Sequence, residues 1–181
     1  MLEYSLEKTL QFEYKETILK GKFAYSHKDL ICCLEIPGGY LHGGSHIPYF
    51  APYGWTEEKA EESAKHTLME RWDFYNSVLE HKEEILKALP DYFEQKAQAE
   101  REFADVQQKI NELKKSLREG TVSNKDYQKA LSPLRRKRDN AEFSSGWYFD
   151  HLLSHILKEQ RFYKEREILT ILGINEKDLA K

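Results

Sequence analysis

Cysteine is nearly absent from this chain: two residues in 181, and they are neighbours, Cys32 and Cys33. Adjacent cysteines rarely bridge each other, because one peptide unit holds them in a geometry that strains a disulfide. No CxxC and no zinc-ribbon spacing occurs, which excludes a disulfide scaffold and a structural zinc site of that kind. The pair lies in the apolar run LICCLEI and reads as two reduced thiols in a strand, one of them facing the core. A reducing, cytoplasmic compartment is the expectation that follows. Long apolar runs are missing too. None approaches the roughly 18 residues of a membrane span, and the charged, alternating MLEYSLEKTLQ does not read as a secretory signal.

Charge of one sign is also lacking. The net charge is −3. Residues 1–90 hold 10 Lys and Arg against 15 Asp and Glu, residues 91–142 hold 12 against 10, and residues 143–181 hold 6 of each. A mildly acidic front and a mildly basic middle are not the strongly basic face of a typical nucleic-acid binder. Apolar residues make up 40% and charged residues 33%. That balance fits amphipathic helices with much solvated surface and argues against a deeply buried parallel sheet. No nucleophile elbow, kinase signature, GxGxxG or P-loop pattern is present.

What is present begins with period-two alternation. Leu10, Phe12 and Tyr14, then Phe23 and Tyr25, then Leu30, Cys32, Leu34 and Ile36 alternate with other residues. This predicts three antiparallel strands near 8–15, 17–25 and 29–36, with Leu2, Tyr4 and Leu6 as an early start of the first. Residues 37–55, PGGYLHGGSHIPYFAPYGW, break the pattern. They hold five of the nine glycines, three of the five prolines, five aromatics and two histidines. Such density opposes helix and central strand, so a loop of about 19 residues is expected, longer than most structureless connections.

Thr56 is placed to cap a helix that carries Glu57 and Glu58 in its first turn. The stripe Ala60, Ala64, Leu68, Trp72, Tyr75, Leu79, Leu86 and Leu89 carries that helix to Pro90. In residues 91–119, Ala99, Phe103, Val106, Ile110, Leu113 and Leu117 recur at steps of four and three, an a/d heptad seam. Gly120 suits a left-handed helix end and Ser123 the cap of a returning helix with Tyr127, Leu131 and Leu134 on its stripe. The stretch REGTVSNKDYQKAL resembles the Gly–β-branched–Ser/Thr–x–x–Tyr bend of helical hairpins in many unrelated proteins, the coiled-coil arms of large serine recombinases among them. The resemblance covers about a dozen residues and implies a hairpin. Pro133 is expected to kink or break the returning helix, Ser144-Ser145-Gly146 to interrupt it, and a last helix to span roughly 147–171 before Gly173. Asn175 is a candidate cap for a short final turn.

The expected fold is therefore α+β: a small N-terminal antiparallel sheet of about three strands, a long loop, and a helical bundle containing an antiparallel coiled-coil hairpin. Residues 1–90 form the meander, loop and first packing helix; 91–142 the hairpin arm; 143–181 a C-terminal helix returning to the core. An unfilled hairpin seam would drive a two-fold homodimer.

Four groups of residues could carry function. Tyr40, His42, His46, Tyr49, Phe50, Tyr53 and Trp55 give the 37–55 segment an aromatic, glycine-hinged surface suited to a protein partner; the structural alternative is that some rings plug the seam beside the first helix. His151 and His155 lie four apart on one helix face. With His42 and His46 they would supply four nitrogen ligands for a divalent metal, although Leu152 stands where a zincin would need Glu; packing and backbone hydrogen bonding are the alternatives. Arg135, Arg136, Lys137 and Arg138 could meet nucleic-acid phosphates, or pair with Asp139 and Glu142 on a solvated face. The leading expectation is a non-enzymatic interaction module, an adaptor or stoichiometric inhibitor of a larger machine, a nucleic-acid-handling one among the candidates, with no cofactor and no membrane partner. A metal-dependent hydrolase and a direct nucleic-acid binder are the rivals.

Overall fold

The computed structural model describes residues 8–46, 54–159 and 164–174. The protein is α+β. Strands β1 (Lys8–Tyr14), β2 (Thr17–Tyr25), β3 (Asp29–Ile36) and β4 (Gly39–His46) form an antiparallel meander in the order β1-β2-β3-β4. Helices α1 (Glu57–Glu80), α2 (Lys82–Arg118), α3 (Asn124–Leu157) and α4 (Glu165–Leu172) follow. The first three strands lie where alternation puts them. The fourth corrects the expected loop: residues 39–46 of the Gly-rich segment are a strand paired with β3 from Ile36↔Gly39 to Asp29↔His46. Glycine weakens a strand without forbidding it, and an edge position asks less of it than a central one.

The chain forms two compact units, residues 1–82 with 164–181, and residues 83–163. In the first unit, alternation sends Leu10, Leu19, Phe23, Leu30, Cys32, Leu34, Ile36 and Leu41 to one sheet face, where all are buried. Helix α1 packs on that face against β2, β3 and β4, and α4 packs on α1. The helix comes close because Gly21 offers no side chain: a Cβ there would stand 2.7 Å from Leu68 Cδ1 and 2.7 Å from the Cys33 carbonyl oxygen. Leu68 is fully buried over this gap, and removing such a side chain from water is worth about 2 kcal/mol.

The buried stripe of α1 is Ala60, Ala64, Leu68, Phe74, Tyr75 and Val78. Trp72 is only half-buried, and it stacks on Tyr75 with ring centroids 5.2 Å apart. Leu79 and Leu86, read from sequence as part of the stripe, are exposed. Thr56 caps the helix, its hydroxyl accepting from the Lys59 amide at 3.4 Å. The helix stops at His81, not at Pro90, and α2 runs through Pro90 without a break. Proline removes one hydrogen bond and crowds one carbonyl; with Leu89 and Tyr92 buried on either side, packing offsets that loss.

The second unit holds the helical hairpin. Val106 and Ile110 of α2 pack with Tyr127 and Leu131 of α3, and Leu113, Leu117, Val122 and Leu134 close around them. The part of the heptad seam from Val106 to Leu117 is thus packed within the chain. The bend has the paired capping bonds of a Schellman motif: Thr121 N–H donates to the Ser116 carbonyl at 3.0 Å and Gly120 N–H to the Leu117 carbonyl at 3.2 Å. Gly120 takes φ +72°, where a side chain would be strained. Ser123 caps α3, accepting from the Asp126 amide at 3.2 Å. Further along, Tyr92 packs on Phe149 at 4.7 Å. Neither Pro133 nor the Ser144-Ser145-Gly146 stretch interrupts α3, and the expected 147–171 helix is instead the end of α3 followed by the separate α4. Pro133 is exposed and lies between two packed residues, Leu131 and Leu134, so the hairpin contacts hold the helix across it. The early strand start at Leu2, Tyr4 and Leu6 and the Asn175 cap fall outside the described residues.

The β1–β2 turn is anchored by polar contacts. Lys15 and Glu16 both take positive φ, 47° and 61°, the two-residue hairpin geometry that usually selects Asn-Gly. Tyr14 Oη donates to Asp73 Oδ2 at 2.9 Å and Lys15 Nζ donates to Oδ1 at 2.7 Å, tying the turn to α1. Partial burial alone would raise the Asp73 carboxyl; the hydrogen bonds from Lys15 and Tyr14 outweigh it and hold the group below its usual 3.8.

Two outcomes follow. Because the Asp73 value is lowered on folding, its contribution is present above the unfolded value and is lost as pH falls through the folded one. The resistance of wild type to urea should therefore fall on acidification below about pH 4, and Asp73→Asn should remove that part of the pH dependence. Gly21→Ala should cost about 1–3 kcal/mol, the usual cost of overpacking, read from the denaturation midpoint at unchanged slope.

Candidate functional site

Alternation that buries one sheet face leaves the other open: no helix among the described residues packs on it. The outward row across the strands reads Thr9, Lys22, Cys33 and His42. The next row reads Gln11, Lys20, Glu35 and Tyr40, and on the far side stand Ala24, Ile31 and Gly44. Three large apolar side chains on this face are substantially exposed: Ile18 at 52%, Tyr40 at 50% and Ile31 at 42%.

The two cysteines part company here. Cys32 points inward and is fully buried. Burial, the main cause, pushes its thiol up to about 11, against a hydrogen bond with Thr67 that pulls it down. Cys33 points outward, half-buried, with Sγ 3.1 Å from His42 Nδ1. Directly opposed residues of an antiparallel pair bring side chains this close. Sequence reading placed one thiol in the core but missed the Cys33–His42 pair, since nine residues separate the two and only the β3–β4 register joins them. Neither cysteine is in a disulfide.

Beside His42, along the outer edge of β4, a cleft of about 410 Å³ is lined by Gly38, Gly39, Tyr40 and His42 on one side and Lys164, Arg166, Glu167 and Thr170 on the other. Glu167 is nine-tenths buried. Its Oε2 accepts from Arg71 Nη1 at 3.4 Å, Lys164 Nζ lies 3.8 Å from Oε1, and Oε1 has no hydrogen-bond partner among the described residues. Close to this corner, Gly43 lets α1 approach, since a Cβ there would stand 2.5 Å from Thr67 Cγ2. The α4 contribution was not legible in sequence, because nothing local marks Arg166 or Glu167 as neighbours of a strand more than 120 residues earlier.

The remaining candidates are dispersed. Trp55 is half-buried against the β2–β3 turn: its Nε1 donates to the Lys28 carbonyl at 3.1 Å and its amide to the His27 carbonyl at 3.0 Å. It acts as a clasp on that turn. His46 ends β4 opposite Asp29; its side chain, and the whole of Tyr49, Phe50 and Tyr53, lie outside the described residues. His151 and His155 are exposed on α3, in the second unit, whereas His42 belongs to the first. Among the described residues no group of three or more His, Cys, Asp or Glu is arranged to hold a metal ion. Of the basic run, Arg135, Arg136 and Lys137 are exposed, while Arg138 is half-buried and donates to Asp139 Oδ1 at 2.7 Å through Nη2 and 3.0 Å through Nε. Among the described residues no helix is long and apolar enough to cross a membrane.

Arg71→Ala should destabilise the first unit by about 1–3 kcal/mol, because it leaves the Glu167 carboxylate buried with a further oxygen unsatisfied. Arg71→Ala combined with Glu167→Leu should recover much of the loss, which a double-mutant cycle in urea would read.

Comparison of the chain with known protein families, with curated proteins and with solved structures returns no match.

Proposed function

We propose that this protein is a non-enzymatic interaction module, an adaptor or stoichiometric inhibitor, that takes a partner protein on the open face and outer edge of its sheet. The observation that carries the reading is β4 itself. It is eight residues long, GYLHGGSH, ends the sheet, and contains neither a charged residue nor a proline. Edge strands are ordinarily guarded by lysine, proline, bulges or brevity, because their outward amides and carbonyls will pair with any extended chain. The opposite edge, β1, follows that habit with Lys8 and Glu13. β4 has none of these along its own length, although α4 stands across the cleft from its Gly39–His42 stretch, and it carries the half-exposed Tyr40. An extended segment of a partner, added next to β4, would have its backbone paired and its apolar side chains beside Tyr40. The helical hairpin offers a second, charged arm for the same partner. Two cysteines outside any disulfide suit a cytoplasmic setting.

The test is quantitative affinity capture from a cell extract with wild type, Tyr40→Lys with Ile31→Lys, and a control carrying Arg135→Gln and Arg136→Gln on the hairpin. The sheet variant should keep its circular-dichroism spectrum and lose the captured proteins by tenfold or more. The hairpin control should lose far less. A folded sheet variant that retains the wild-type set would overturn the reading.

A further inference from the structure

The Cys33–His42 pair lies on the same open sheet face, with His42 in β4 itself, and it is built as a reactive centre is built. A thiol becomes a nucleophile when a base within hydrogen-bond reach takes its proton, or when nearby positive charge favours the thiolate. The first condition is met on this row of the sheet, and the register sets a lysine beside it. His42 Nδ1 lies 3.1 Å from Sγ, and Lys22 is the residue paired with Cys33 on the opposite strand. Cys33 is therefore flanked along one cross-strand row by an ammonium-bearing side chain and an imidazole. The other titratable groups on this face of β2 and β3 are Lys20 and Glu35, one row away, and Asp29 at the start of β3; β4 adds Tyr40 and β1 adds Glu13 at its far end, while Lys164, Arg166 and Glu167 of the α4 end stand across the cleft that His42 lines. The face is open enough for a small co-reactant: Cys33 is half-buried, His42 exposed, and Gly44 beyond them carries no side chain.

We infer that Cys33 and His42 form a nucleophile–base pair, and that Cys33 is a site of covalent modification by low-molecular-weight disulfides. In the tautomer with the ring proton on Nε2, the Cys33 S–H donates to Nδ1 and the proton passes to the ring. The thiolate attacks one sulfur of the disulfide R–S–S–R. A Cys33–S–S–R bond forms as the original S–S bond breaks. The departing R–S⁻ takes the proton from the imidazolium and leaves as R–SH. The disulfide is the oxidant, so Cys33 is oxidised and one half of the co-reactant is reduced. The neighbouring Cys32 does not compete: it is sealed under α1 and its thiol is held up to about 11.

Two probes test this, oxidised glutathione and the uncharged bis(2-hydroxyethyl) disulfide, with the adduct followed by intact-mass spectrometry and mapped by peptide. Wild type and Cys32→Ser should gain one adduct at residue 33, and Cys33→Ser none. His42→Ala, an exposed strand substitution that should leave the circular-dichroism spectrum unchanged, should slow the reaction roughly threefold or more at neutral pH. It should also move the rise of rate to higher pH, since thiolate fraction governs attack. Equal rates for wild type and His42→Ala from about pH 6 to 9 would overturn the inference, as would an adduct that maps to Cys32. A difference seen with glutathione but lost with the uncharged probe would also overturn it, because charge attraction and not proton removal would then be at work.

Discussion

A sheet has two faces, and among the described residues helices cover one. That constraint arranges nearly everything else in the first unit. Period two sends every second residue of β1 to β4 under α1, and the requirement that α1 come close is met where glycines stand under it, Gly21 below Leu68 and Gly43 below Thr67 and Arg71. The residues left over are polar for the most part, as a solvated face requires. Ile18, Ile31 and Tyr40 are the departures from that rule, and they are what gives the face its character.

The same parity separates two adjacent thiols by their chemistry. One step along β3 takes Cys32 into a sealed, apolar position and Cys33 onto an open one beside an imidazole. Identical side chains become an inert core filler and an accessible sulfur with a base at hand, with no change in local sequence beyond the alternation. The adjacent polar feature, Glu167 with Arg71, is the inward counterpart. Packing α4 onto α1 brings a carboxylate into the interior, and it is retained with one guanidinium and an oxygen that nothing among the described residues satisfies.

Legibility from sequence followed range. Strands β1 to β3, the Thr56 and Ser123 caps, the Gly120 bend and the partners Val106, Ile110, Tyr127 and Leu131 were readable, because each depends on spacing within a few residues or on a heptad. The β4 strand was not, because five glycines and three prolines between residues 37 and 55 outweigh a pairing that only β3 supplies. Pro90 and Pro133 misled for a related reason: local propensity counts the lost hydrogen bond, whereas burial of Leu89, Tyr92 and Leu131 is tertiary. The site was half readable. Tyr40 and His42 stood out by residue type, but Cys33 and Glu167 became neighbours of His42 only through register and through the return of α4.

That return has a consequence for the order of assembly. The first unit is discontinuous: its sheet and α1 precede the hairpin in the chain, and α4 follows it. During synthesis the hairpin emerges and can close while α1 and the sheet still lack α4. Arg71 then waits for a carboxylate some hundred residues downstream. The ribosome delivers α4 after both, so the nascent chain passes through a stage in which the hairpin is complete and the first unit is not. Chaperone occupancy during translation would fall on that stage.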